Sequence, residues 1–140
     1  RLISPDDSLF YEMTALNPSD LEKIIQAILQ AQKKIQWKPQ KAEPHLKKRI
    51  RLGHLPEDST IATYEAIIHQ ILIDPKANVY VYLYGSLLYP TLSSAIQNQI
   101  WLVILGMDSI LETAFPPTDP NAYLANPAFI YLGILENLQP

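Results

Sequence analysis

The chain of 140 residues contains no cysteine. That absence excludes disulfide frameworks, thiolate zinc sites and cysteine nucleophiles together, and it leaves stability to packing alone. Glycine is nearly as scarce, with only Gly53, Gly85, Gly106 and Gly133. Neither a glycine-rich phosphate loop nor a G-x-S-x-G elbow can be assembled from these four, so nucleotide hydrolysis and serine-hydrolase chemistry fall away. HxxxH, HxH and DxD spacings are missing and the acids are scattered, so no metal site and no cofactor is expected. Long apolar runs are missing too. The longest candidate, Ile100 to Leu105, is strand-length, far short of the ~20 residues a membrane helix requires. A soluble protein with no membrane partner is expected, compatible with a cytoplasmic location. The chain begins at Arg1 without a signal-peptide pattern, which suggests a segment trimmed from a longer protein.

What is present is enough apolar material for one core, at 48% hydrophobic residues, and one domain is expected. The net charge is −3, but the charges are segregated. Eight of the eleven Lys and Arg lie between Lys33 and Arg51 with Glu43 as the only acid among them, a local balance of +7 that leaves −10 for the remainder. A positive face on an acidic body steers a polyanion to one place.

Residues 1–17 read as an arm. Asn17-Pro18 starts a helix whose apolar positions Leu21, Ile24, Ile25, Ile28 and Leu29 carry it to about Ile35. Trp37-Lys38-Pro39 breaks it, and a short second helix of residues 44–52 begins at Pro44 and stops at Gly53, with Leu46 and Ile50 as its apolar pair. Asp58-Ser59-Thr60 caps a third helix striped by Ile61, Tyr64, Ile68, Ile71 and Leu72. From Asn78 the period becomes two, as Val79, Val81 and Leu83 alternate with Tyr80, Tyr82 and Tyr84. Leu92 to Ile96, Ile100 to Leu105 and Ile110 to Phe115 follow as strands around turns at Gln97–Gln99 and Gly106–Ser109. Helices first and strands afterwards predict an α+β domain, with the N-terminal helices packed on one face of a four-stranded antiparallel meander. The core would span roughly residues 18–117, and the tail, 118–140, would hold one short helix after Asn126-Pro127.

The second helix carries the chemistry. His45 and Arg49 are four apart and share a face, with Lys41 and Lys48 beside them and Leu46 and Ile50 free to bury the other side. Cleavage of RNA by its own 2′-hydroxyl needs a base, an acid and cations around the phosphorane, and no metal. His45, Arg49 and the strand hydroxyl of Thr113 are the catalytic candidates, and Lys41, Lys47, Lys48, Arg51 and His54 the RNA-binding ones. The bland alternatives are a solvated basic helix, a His54 that donates to the last carbonyls of its helix, and an ordinary strand threonine. His69 reads as a surface histidine. Tyr80, Tyr82 and Tyr84 are either a stacking surface for bases or cross-strand packing.

Glu43-Pro44-His45-Leu46-Lys47-Lys48-Arg49, then Gly53-His54, a capped helix, a meander and Leu111-Glu112-Thr113-Ala114-Phe115-Pro116-Pro117 together resemble the barnase/EndoU/colicin D/RelE-like (BECR) nuclease superfamily, most of all its phage and polymorphic-toxin members. The resemblance implies a metal-independent, toxin-like endoribonuclease acting on tRNA or mRNA and held by an immunity or antitoxin protein. It sets the family's helical histidine on His45, its basic residue on Arg49 or Lys48 and its last-strand hydroxyl on Thr113. The alternatives are a non-catalytic module whose basic helix docks a nucleic acid or a protein, and a structural domain of a larger assembly.

Overall fold

The computed structural model describes residues 16–139, so most of the expected N-terminal arm lies outside the described residues. Within them the order is α1 (Pro18–Lys33), β1 (Gln36–Trp37), α2 (Ala42–Arg51), α3 (Ile61–Leu72), β2 (Asn78–Tyr84), β3 (Leu87–Ile96), β4 (Gln99–Leu105), β5 (Ile110–Phe115), α4 (Pro120–Leu124), β6 (Phe129–Ile134) and α5 (Leu135–Leu138). Local chemistry sets the helix starts. Asn17 accepts from the Asp20 N–H and Thr60 from the Thr63 N–H, each with its reciprocal bond, so α1 and α3 begin in full capping boxes.

The α+β class is as expected, but the sheet is not four-stranded and antiparallel. It is a mixed sheet of six strands in the order β1-β5-β4-β3-β2-β6. The expected meander, β2 to β5, forms its middle. On one edge β1 pairs in parallel with β5 at Ile110 and Leu111, and on the other β6 pairs antiparallel with β2. Two residues are too few to show a period, which is why β1 is silent in the sequence. The helix expected after Asn126-Pro127 is present but begins only at Leu135, beyond β6, as the single turn α5. The Asn126 side chain accepts from the Ala128 N–H in a local turn, and the chain then runs straight into β6. A second tail helix, α4, lies earlier, where Asp119 caps Ala122 and Pro120 takes the first position.

β3 starts at Leu87 rather than Leu92. Pro90 lies just beyond Thr91–Ile104, the last β3–β4 pair, where a residue without an N–H costs no ladder bond to β4. Gln97 and Asn98, with φ of 51° and 66°, form a two-residue hairpin loop of the tight left-handed kind.

Register divides the sheet into two unlike faces. Val79, Val81, Leu92, Trp101, Val103, Leu105, Leu111 and Ala114 form one core with Ile24 and Ile28 of α1, Leu46 of α2 and Tyr64, Ile68, Ile71 and Leu72 of α3. The opposite face carries Tyr80, Tyr82, Tyr89, Thr91, Ile104, Thr113, Phe115, Phe129 and Tyr131. A bulge marks β5: Leu105 pairs with Leu111 and Ile104 with Thr113, so Glu112 is an extra residue. Since β1 reaches only Leu111, the last part of β5 has an open edge there. From the core side, the Tyr64 hydroxyl donates to the Ala114 carbonyl.

Candidate functional site

The basic helix α2 buries Leu46 and Arg49, three residues apart on one seam. Arg49 is therefore not on a solvated face opposite Leu46, as the sequence reading had it. It is 4% exposed, and its guanidinium carbon stands 5.6 Å from the centre of the Phe115 ring at the end of β5. Its Nε and Nη1 are buried without a hydrogen-bond partner among the described residues. Burial holds the Arg49 pKa below the ordinary range for arginine. Two unpaired buried donors on a cation are costly, and that cost persists in folds mainly where a ligand can meet it.

His54 is tied to Arg49 through the backbone. Gly53 takes φ of +78°, which lets the His54 N–H donate to the Arg49 carbonyl at 2.8 Å and the Gly53 N–H to the Ile50 carbonyl at 3.0 Å. This is the Schellman stop of a helix, and glycine supplies the left-handed residue it requires. The main chain thus satisfies the carbonyls that the His54 side chain was expected to cap. The side chain is left half-buried, with Nδ1 unpartnered among the described residues. Burial first, and the Arg49 charge second, lower its pKa.

Both residues line one groove of about 700 Å³ with Lys48, Phe115, Thr118 and Tyr123. Its far wall is Phe115-Pro116-Pro117, which the sequence reading quoted with Thr113, and the start of α4, which went unnoticed. The signal was there: Asp119-Pro120 is the same cap-plus-proline start that marks α1 at Asn17-Pro18.

The remaining candidates lie elsewhere. His45 belongs to the helix side, its ring 5.8 Å from Trp37, which in turn is 5.5 Å from Tyr64 and donates Nε1–H to Glu65 at 2.7 Å. Burial and then the charges of Arg49, Lys48 and Lys41 lower its pKa. Thr113 faces the other side of the sheet in register with Ile104, so strand and helix do not bring it to His45. Thr118 is the hydroxyl that lines the groove in its place. Lys41, Lys47 and Arg51 are exposed around α2, so of the expected RNA-binding set only Lys48 and His54 reach the groove. Lys38 is engaged by Glu112 at 2.8 Å.

No family model, curated protein or solved structure matches this chain.

Among the described residues no group of three or more His, Asp or Glu is placed to hold a metal ion, and no helix is long and apolar enough to cross a membrane. The groove's own donors are cationic and aromatic. Asp119 adds the one carboxylate of its lining.

Proposed function

We propose that the groove binds the phosphodiester backbone of RNA and that the chain cleaves it as a metal-independent endoribonuclease. The observation that carries the reading is the convergence of Arg49, whose buried Nε and Nη1 lack partners, with the unpaired imidazole of His54 on one open groove. Lys48, at the rim, adds a second positive charge.

In this reading neutral His54 takes the proton of the ribose 2′-hydroxyl, and the freed oxygen attacks the adjacent phosphorus. The bond to the 5′-oxygen breaks, and that oxygen takes a proton from water in the open groove, leaving a 2′,3′-cyclic phosphate and a 5′-hydroxyl. Arg49 meets the charge that builds on the phosphorane, the point at which a preorganised cation does most. A depressed histidine pKa favours the neutral base near pH 7. Thr118 positions the phosphate, a role the sequence reading gave to Thr113. An immunity or antitoxin protein would act by filling the groove.

The second reading is a binder that does not cut, favoured by the placement of His45 and Thr113 away from the groove. Incubation of the protein with total tRNA in EDTA separates the two. Cutting of RNA, and retention without cutting of an oligonucleotide with 2′-deoxyribose at every position, supports the nuclease. Binding of both without cutting supports the binder, with affinity falling steeply as salt rises.

A further inference from the structure

The face of the sheet turned away from α1, α2 and α3, with Tyr123 of α4 packed against it, carries a continuous run of rings that starts inside the groove. Phe115 stands 5.4 Å from Tyr123, Tyr123 stands 5.7 Å from Phe129, and Phe129 stands 4.8 Å from Tyr82 and 6.1 Å from Tyr80. Tyr80 continues to Tyr131 at 5.1 Å, and Tyr131 is 52% exposed. The rings meet tilted or edge-on rather than flat, so they do not consume one another's faces. In β2 to β5 the other paired residues of this face are aliphatic or hydroxylated, as with Thr91, Ile104 and Thr113, or the amide Asn78, which accepts from the Tyr131 hydroxyl, and none is acidic. Both ends of one surface are therefore defined: buried and exposed cations at the groove, and a neutral aromatic floor leading away from it.

We infer that this aromatic row is the seat of unpaired bases, so that the RNA taken by the groove is single-stranded where it crosses the sheet. The inference rests on the phosphate reading of the Arg49–His54 groove. Charge complementarity and continuity choose the occupant. The +7 segment around α2 attracts a polyanion, and a strand whose phosphate sits at Arg49 has Phe115 and Tyr123 as its next neighbours. Duplex RNA hides the flat faces of its bases and cannot use the row, whereas every unpaired base offers one.

The test is fluorescence anisotropy with a labelled 12-nucleotide single strand, its 12-base-pair duplex and a labelled trinucleotide, in EDTA, using 2′-deoxy analogues to prevent cutting. The proteins are wild type, Tyr131→Leu, Tyr82→Leu and Arg49→Met, each checked for fold by circular dichroism. Wild type should bind the single strand at least about tenfold tighter than the duplex. Tyr131→Leu and Tyr82→Leu should each weaken the 12-mer by about tenfold, the scale of one lost stacking contact, and leave the trinucleotide unchanged. Arg49→Met should weaken all three. Equal affinity for duplex and single strand, or tyrosine variants that bind the 12-mer as wild type does while Arg49→Met fails, would overturn the row and spare the groove. Undiminished binding by Arg49→Met would overturn the groove reading and the row with it. A dimer in sedimentation that Tyr131→Leu dissolves would overturn the row by assigning the face to a second copy. Tyr131 is exposed, so its variant stays informative if Tyr82→Leu fails to fold.

Discussion

The His54 N–H donates to the Arg49 carbonyl at 2.8 Å, so the two residues that converge on the groove are clamped together by the stop signal of one helix. The clamp depends on Gly53 at φ +78°. A Cβ there meets no atom within 4 Å, so the cost of Gly53→Ala is conformational rather than steric. The expected loss is about 1 kcal/mol of stability, with weaker RNA binding because the clamp that holds Arg49 at the groove is disturbed. Denaturant unfolding and anisotropy measure both, and Gly53→Asn, which tolerates the left-handed region better, should recover part of each.

Arg49 separates binding from stability. Arg49→Met keeps an aliphatic stem on Phe115 and removes a buried cation whose Nε and Nη1 have no partner. Replacement of such a group by a packed apolar one is often neutral, so the melting temperature should move little, within about 1 kcal/mol. Affinity for RNA should fall at least about tenfold. Thermal melts beside anisotropy decide it. A large loss of stability would mean that Arg49 is a structural residue.

Tyr64 holds the end of β5 from beneath. Its hydroxyl is sealed from solvent, donates to the Ala114 carbonyl and has a pKa pushed up to about 12 by burial. Tyr64→Phe leaves that carbonyl on the open edge of β5 without its donor. A cost of about 1–2 kcal/mol is expected, read as a lower denaturation midpoint at unchanged slope.

Stability should fall with acid in a window set by two histidines. His45 and His54 both titrate below the ordinary value near 6.5 when folded, chiefly because they are buried. The unfolded chain therefore takes up protons first as pH drops. The stabilising contribution is complete above about 6.5 and is lost as pH falls from there through the depressed folded values. Midpoints between pH 7.5 and 5 measure it. A double variant, His45→Gln with His54→Gln, should show a shallower fall over that range.

Much of the fold was legible where chemistry is local. The capped helices, the alternating β2 and the tight Gln97-Asn98 turn all announce themselves within a few residues. What depends on partners distant in sequence did not. β1 exists only because β5 offers Gln36 and Trp37 an edge, and β6 because β2 does. The basic helix shows both cases. Its stop at Gly53 was readable, yet Arg49, four residues from His45, was placed on that residue's face and opposite Leu46. Its place three residues after Leu46 was the better guide. The two histidines differ for the same kind of reason. His45 sits among basic residues in sequence, but Trp37 and Tyr64 claim its surroundings, and the backbone at Gly53 leaves His54 unengaged.

The most direct test of the Arg49–His54 site is the rate of appearance of 2′,3′-cyclic phosphate ends on a single-stranded RNA in EDTA, compared among wild type, His54→Gln and His45→Gln. Loss of a general base costs about 10²–10⁴-fold. His54→Gln should lose at least about a hundredfold, with wild-type RNA affinity within about threefold, while His45→Gln stays near the wild-type rate. Wild-type protein that binds the RNA without forming cyclic ends, or a His54→Gln variant that cuts as fast as wild type, would contradict it.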